Sequence, residues 1–284
     1  MKKAEIIEGN LDYSNFKSEY LSDLIVKGDI LSDINFKVKG SLIVEGNVEK
    51  VKIRCYGDVK ISKSFFGQDT GFIHSKGSFY AYQIINGNVR ADKDIVIGDI
   101  ISNSNLIAKG KIVVNGRGIV VGGNLFAKDC IEGKECGTQS IVETNVHVGF
   151  DFILKKKYEI LYNSYLDIIR EIKFKKSAVK NIFDLSYKFS EIDQIMKNLE
   201  LLKDKKRALI TLLELIELNE KLLKINENLE KLKNMISKNE NAYIKFERIF
   251  PGVNLNILDK AFFVDRLIEP EKEITKSELE KWLQ

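Results

Sequence analysis

The chain has 284 residues, and its 45 Lys and Arg against 41 Asp and Glu give a formal net charge of only +4. That balance gives no electrostatic indication of nucleic-acid or anionic-membrane binding. A hydrophobic content of 44% argues against wholesale disorder. The sequence has neither an apolar run of about 18 residues nor the apolar core of a signal peptide. We therefore expect a cytoplasmic protein without a transmembrane segment.

Glycine divides the chain near residue 150. All of the 19 glycines except Gly252 lie between Gly9 and Gly149. From Phe150 to Phe250 the sequence contains neither Gly nor Pro. Because glycine marks turns, its absence over this stretch predicts helix, whereas the first half is predicted to turn often.

The first half contains repeated short segments that end in Gly or Asp turns and continue into β-branched residues. These segments start at Val38, Cys55, Ser75, Ala91, Ala108 and Ala127, with separations of 17, 20, 16, 17 and 19 residues. A further segment starts at Val26, 12 residues before the first of these. A second family of turns begins at Gly46, Gly87, Gly98 and Gly123. A period near 17 with several strand and turn units is typical of a β-solenoid, and glycine at the corners is expected to allow positive φ.

Residues 5–149 are therefore predicted to form a β-solenoid, a single-stranded β-helix that we expect to be right-handed, with seven or eight rungs. An ordinary β-sandwich is the alternative, but it gives no reason for one segment to recur at one spacing. The β-branched positions that follow the corners are predicted to face the core: Val44, Ile61, Ile97 and Val114.

Residues 150–241 are predicted to form an inserted, long antiparallel α-helical hairpin with coiled-coil spacing. Its apolar positions alternate steps of three and four: Leu161, Tyr165, Ile168 and Ile172, then Leu185, Phe189, Ile192, Met196 and Leu199, then Leu215, Leu218, Leu222, Ile225, Leu229, Leu232 and Ile236. The polar run 203–206 is the predicted turn of the hairpin. A parallel coiled-coil dimer of single long helices is the alternative.

Strand patterns return after the helices. Residues 242–268 are predicted to rejoin the solenoid as strands that cap its C-terminal end, with a bend at Pro251 and Gly252. Residues 269–284 are predicted to contain a short amphipathic helix, because Thr275 and Glu278 have the spacing of a capping box.

The residues that could carry out catalysis or bind a ligand are better explained by structural roles. His74 is a possible general base in a rung, but a surface or rung-edge role is the preferred interpretation, and His147 is interpreted in the same way. Cys130 and Cys136 lack the spacing and the partner pair of a zinc site, which favours small buried rung residues. The glycine-rich run 116–123 lacks the Gly-Lys-Ser/Thr of a phosphate-binding loop. We expect no catalytic, cofactor-binding or metal-binding residues and no cofactor.

The order of parts resembles the bacterial flagellar assembly protein A family, from about residue 9 to residue 268. The resemblance lies in a Gly-Asn/Asp-Val solenoid, a helical hairpin and a Pro-Gly-Val segment, carried by residues 122–127, 137–140, 146–149 and 250–253. It implies a cytoplasmic bacterial protein that acts in flagellar assembly or placement through protein contacts and not by catalysis. Members commonly carry an extra domain before the solenoid, whereas the first turn here begins at Gly9.

These observations give three hypotheses for function. The first is a non-enzymatic scaffold whose partners are other proteins, with further copies of the chain among them, and not nucleic acid. The second is a self-polymerising cytoskeletal solenoid of the bactofilin kind. The third is a carbohydrate-active β-helix enzyme, which needs two carboxylates in one groove.

Overall fold

The computed structural model describes residues 4–183 and 205–283. Its main part is a β-solenoid of about eight turns. Each turn adds a short strand to each of three columns in which neighbouring strands pair in parallel. The first column contains β1 (Glu5–Ile7), β3 (Leu24–Val26), β5 (Leu42–Val44), the first residues of β7 (Val59–Phe66), β9 (Phe79–Ile85) and β11 (Ile95–Ala108), then β12 (Ile112–Val114), β14 (Cys130–Glu132) and β17 (Tyr243–Lys245).

The other two columns are built in the same way. The second contains β2 (Glu19–Tyr20), β4 (Asn35–Val38), β6 (Lys52–Cys55), β8 (Phe72–Ser75), β10 (Asn88–Ala91), the last residues of β11 and of β13 (Ile119–Ala127), β16 (Thr144–Val148) and β19 (Val253–Ile257). The third starts with bridges between Leu11, Ile30, Val48 and Phe65 and continues through β9, β11, β13, β15 (Glu135–Cys136) and β18 (Arg248–Ile249).

The core lies inside the three columns because side chains alternate between the two faces of each strand. The four positions predicted to face inward are 0 to 4% exposed, which confirms that prediction: Val44, Ile61, Ile97 and Val114. Stacked rungs bury these side chains against one another, and no single rung buries them alone.

The repeat spacing of the sequence corresponds to the length of a rung. Val38 pairs with Cys55, Cys55 with Ser75, and the pairing continues up the second column through Ala91, Ala108 and Ala127. Val26 does not belong to this series, since it lies in the first column and pairs with Val44. The 12-residue offset therefore separates two faces of one rung.

Glycine is needed at these corners for a reason other than the positive φ that was expected. Asp58 Oδ1 accepts a hydrogen bond of 2.8 Å from the backbone N–H of Ser78, and a Cβ on Gly77 would lie only 1.9 Å from that oxygen. The same arrangement joins Asp23 to Gly40, Asp29 to Gly46, and Asp94 to Gly110. These glycines do not have positive φ; among the glycines of the described residues, positive φ is confined to Gly116 and later ones. They leave room for a side chain of the preceding rung.

Helices α1 (Phe152–Phe183) and α2 (Lys205–Met235) belong to a compact unit of residues 153–236, separate from the unit that contains the solenoid. Ile172 of α1 packs with Leu215 and Leu218 of α2, and Lys175 Nζ lies 2.6 Å from Glu214 Oε2. The predicted apolar positions from 185 to 199 lie outside the described residues. So does the first half of the turn predicted at 203–206, whose last two residues belong to α2.

After the helices the chain returns to the solenoid. Strands β17, β18 and β19 pair in parallel with β14, β15 and β16, so they add one more rung in the same direction. The chain then reverses: β20 (Lys260–Phe263) is antiparallel to β19, Ile268 forms an antiparallel bridge to Ile249, and β21 (Ile274–Thr275) is antiparallel to β17. A final antiparallel layer thus contacts all three columns.

The last helix begins at the capping box. Helix α3 covers Lys276–Trp282, and Thr275 is its N-cap, with Oγ1 accepting from the N–H of Glu278 at 3.4 Å. The residues just before it include β21, because pairing with β17 keeps this backbone extended. Leu279 is fully buried against the solenoid core.

Candidate interaction surface

The outward side of the second column carries two rows of polar side chains. One row is a ladder of asparagine amides in which each Nδ2 after that of Asn88 donates to the Oδ1 of the preceding asparagine at 2.7 to 3.0 Å: Asn88, Asn105, Asn124, Asn145 and Asn254. Its last step joins the rungs on either side of the helical unit. Such ladders stabilise the stacking of rungs, as amide ladders do in stacked sheets.

The second row is basic in its N-terminal half. Lys37, Arg54, His74 and Arg90 occupy consecutive rungs in register on β4, β6, β8 and β10. Each of these side chains alternates with a residue that faces the core. Stacking therefore places basic groups on neighbouring rungs about 4.8 Å apart, although 16 to 20 residues separate them in sequence.

Asp92 lies at the corner that follows this row and is surrounded by basic groups. Its Oδ1 is 3.5 Å from His74 Nε2, 3.4 Å from an Arg90 guanidinium nitrogen and 3.4 Å from Lys109 Nζ. Desolvation raises the pKa of this carboxyl, but Lys109 and Arg90 outweigh it and hold the pKa below its ordinary value. Asp92 is therefore ionised and neutralises part of the surrounding positive charge.

His74 is more deeply placed than a surface or rung-edge residue, contrary to the expectation from sequence. It is 7% exposed, because neighbouring rungs cover its ring on the outward side. Burial lowers its pKa, Arg90 lowers it further, and Asp92 opposes both effects. The imidazole is consequently neutral at pH 7, and its 3.5 Å separation from Asp92 is too long for a strong hydrogen bond.

His147 continues the same row towards the C-terminal end, where the row becomes aromatic. Its ring stacks on Phe126 with centroids 4.6 Å apart and meets the edge of Phe152 at 5.7 Å. This stack lies on the outer surface where the chain leaves the last rung before the helices. These two ring contacts are packing contacts.

The cysteines are dispersed in the fold. Cys130 belongs to the first column and Cys136 to the third, and both are buried, as is Cys55. Burial raises the pKa of the Cys55 and Cys130 thiols to about 11, so they remain protonated at neutral pH. Within residues 4–183 and 205–283, His, Cys, Asp and Glu side chains form no group of three that could hold a metal ion.

The glycine-rich run 116–123 forms a corner and the start of β13. Gly122 has a φ of +72°, and a Cβ there would lie 2.1 Å from Asn103 Oδ1. The run leads into a strand and not into a helix, so it lacks the helix N-terminus of a phosphate-binding loop.

The C-terminal layer contains an open cleft of about 870 Å³. Phe262 and Trp282, whose rings meet edge to face at 5.3 Å, form part of its wall together with the loop 265–272. The lining of the cleft contains both polar and apolar side chains. None of its lining residues form a pair of buried titratable groups that point at one another.

In the part of the chain that the structure describes, no helix is long and apolar enough to span a membrane. The family model described as the Flagellar Assembly Protein A beta solenoid domain matches residues 6–278. No curated protein and no solved structure shows a significant match to the chain.

Proposed function

Because the chain belongs to the Flagellar Assembly Protein A β-solenoid family, we propose that it is a non-catalytic, cytoplasmic scaffold that acts in flagellar assembly by binding other proteins. The observation that carries the proposal is the family match, which extends over the solenoid, the helical unit and the return segment together. This family is not a known enzyme family.

The architecture supports a role in binding. Paired backbone in three columns gives rigid, flat outer faces, and rigid surfaces lose little conformational entropy when a partner binds. The outward face of the second column presents polar and basic side chains in regular rows, which a partner can contact over several rungs.

The C-terminal layer supports the proposal that the last rung of the solenoid is covered. It argues against a filament in which solenoids stack end to end. Strands β20 and β21 cover the edges of β19 and β17 in antiparallel pairing, and α3 buries Leu279 next to them. An exposed last rung would present unpaired backbone groups as a template for a second solenoid. We assign residues 242–268 and the helix after them to this cap, and 150–241 to an inserted helical hairpin.

The helices of this hairpin are proposed to be antiparallel within one chain. Two observations support this proposal: the cluster of Ile172 with Leu215 and Leu218, and the ion pair of Lys175 with Glu214, join the second half of α1 to the first half of α2. In a parallel, in-register dimer of one long helix, positions 175 and 214 would be about 58 Å apart. Cysteines placed by Lys175→Cys and Glu214→Cys should therefore be joined within one chain by a short bismaleimide, whereas either single variant should not. Failure of the double variant to link would contradict the antiparallel hairpin.

The flagellar role is tested in the bacterium that encodes the chain. Deletion of the gene should reduce the number of flagella or displace them, as counted by electron microscopy, and the wild-type gene should restore them. Unchanged flagella in the deletion strain would refute the proposed function.

A further inference from the structure

Two buried polar atoms lie next to each other without a hydrogen-bond partner. In the described residues, these are His74 Nε2 and Arg90 Nε, and they are the buried side-chain nitrogen or oxygen atoms for which no partner is found. Their residues are partners in register on β8 and β10. A buried polar group without a partner is unfavourable, so two in adjacent rungs mark a place whose polar groups the chain itself does not satisfy.

The charges around these atoms indicate the sign of that group. Arg90 and Lys109 contact one carboxylate, that of Asp92, and Arg54 adds a further positive charge on a neighbouring rung, which leaves an excess of positive charge. Arg54 is in register with His74 and is close enough to act on its titration. An anion at this place would offset the excess charge and accept from the exposed end of the Arg90 guanidinium.

The basic character continues beyond this cluster along the same face. Lys37 and Lys52 are exposed on β4 and β6, with Lys37 in register with Arg54. Phe72, 41% exposed, lies two residues before His74 and therefore on the same outward side of β8. The face thus combines several cations on neighbouring rungs with one exposed aromatic ring.

We propose that this face of the second column, from Lys37 to Lys109, binds an acidic segment of a partner protein. One carboxylate of the segment pairs with Arg54 and with the exposed end of the Arg90 guanidinium, and a neighbouring apolar side chain packs on Phe72. The assignment of the anion to a polypeptide rests on the proposed function. The excess of positive charge and the unpaired atoms are observed independently of that function.

The surroundings favour a polypeptide over single-stranded nucleic acid. Nucleic-acid surfaces of this kind use free aromatic rings on which successive bases stack. The nearby Tyr56 ring is in contact with two cations, with Lys39 Nζ 4.6 Å and Lys76 Nζ 4.3 Å from its centroid.

The test measures binding of a short fluorescein-labelled peptide of repeated Glu-Glu-Leu to the full chain by fluorescence anisotropy. The peptide should bind, a Lys-Lys-Leu peptide should not, and added salt should weaken the complex. Arg54→Gln and Arg90→Gln should each weaken binding about tenfold, since each removes a charge-assisted contact. Lys60→Gln removes an equally exposed charge from the first column and should leave binding unchanged.

Thermal melting checks that the variants fold. Arg54 is exposed, so Arg54→Gln keeps the test valid if Arg90→Gln unfolds the protein by removing one of the partners of Asp92. The proposal is overturned if the peptide does not bind, or if Lys60→Gln weakens it as much as Arg54→Gln does. It is also overturned if a single-stranded oligonucleotide or phosphatidylglycerol vesicles, and not the peptide, bind in an Arg54-dependent manner. Each of these results leaves the gene-deletion test of the flagellar role unaffected.

Discussion

Asp58 and Gly77, on consecutive rungs, are coupled through one oxygen atom: Asp58 Oδ1 accepts from the N–H of Ser78 and occupies the space in which a Gly77 side chain would begin. Glycine at this corner is therefore required by its neighbour on the preceding rung. This relationship explains why Gly followed by Asp, Asn or Ser recurs along the first half of the chain, since each turn both accommodates the rung before it and binds the rung after it.

Gly77→Ala should destabilise the solenoid by roughly 2 kcal/mol, because a Cβ 1.9 Å from Asp58 Oδ1 displaces that side chain and breaks its hydrogen bond from the N–H of Ser78. Gly9→Ala is the matched control, since a Cβ there meets no atom within 4 Å. In chemical denaturation, Asp58→Ala should recover part of the loss when combined with Gly77→Ala, because it removes the clashing oxygen. Strictly additive effects of the two substitutions would show that the two residues are not coupled.

Ile97→Asp should lower the stability by several kcal/mol, because it places an unpaired charge at a fully buried position in the first column. Val96→Asp, on the outward side of the same strand, serves as the control and should cost much less. The midpoints of urea unfolding of the two variants measure the difference. Similar midpoints would mean that the assignment of inward and outward faces is wrong.

The lowered pKa of His74 predicts a pH dependence of stability. The unfolded imidazole takes up a proton near its ordinary pKa of 6.5, while the folded one, buried and facing Arg54 and Arg90, does so only at lower pH, although Asp92 partly opposes this. The unfolded state then binds more protons, so the contribution of neutral His74 is complete above pH 6.5 and is lost as the pH falls through that value. Between about pH 7.5 and 5.5 the thermal midpoint of the wild type should fall by about 1–3 °C more than that of His74→Gln. Parallel falls in the two proteins would contradict this account.

The sequence predicts the second column well, because the spacings between Val38, Cys55 and Ser75 equal the lengths of their rungs. It does not predict the cluster around Asp92. His74 and Lys109 reach that carboxylate only through the stacking of rungs of unequal length, and His74 precedes it by 18 residues while Lys109 follows it by 17. The pattern of the sequence also does not predict the reversal after β19, since alternating apolar residues suit parallel and antiparallel pairing equally.

The final prediction concerns the cap. Truncation after residue 240 removes β17 to β21 and α3, and it exposes the edges of β14, β15 and β16 together with the core cross-section above them. The truncated protein should associate end to end or aggregate, which light scattering coupled to size exclusion detects, because unpaired strand edges are templates for pairing.

Removal of the helical unit is the matched control. When residues 153–236 are replaced by a short linker, the protein should remain monomeric and soluble, because the two chain ends already meet: Phe150 bridges to Lys238, and the N–H of Asn239 donates to the carbonyl oxygen of Gly149 at 2.9 Å. The linker therefore only has to join neighbouring strands of the solenoid, and the asparagine ladder from Asn145 to Asn254 stays intact. If the truncated chain is as monomeric and as stable as the chain without helices, the C-terminal layer is not a cap.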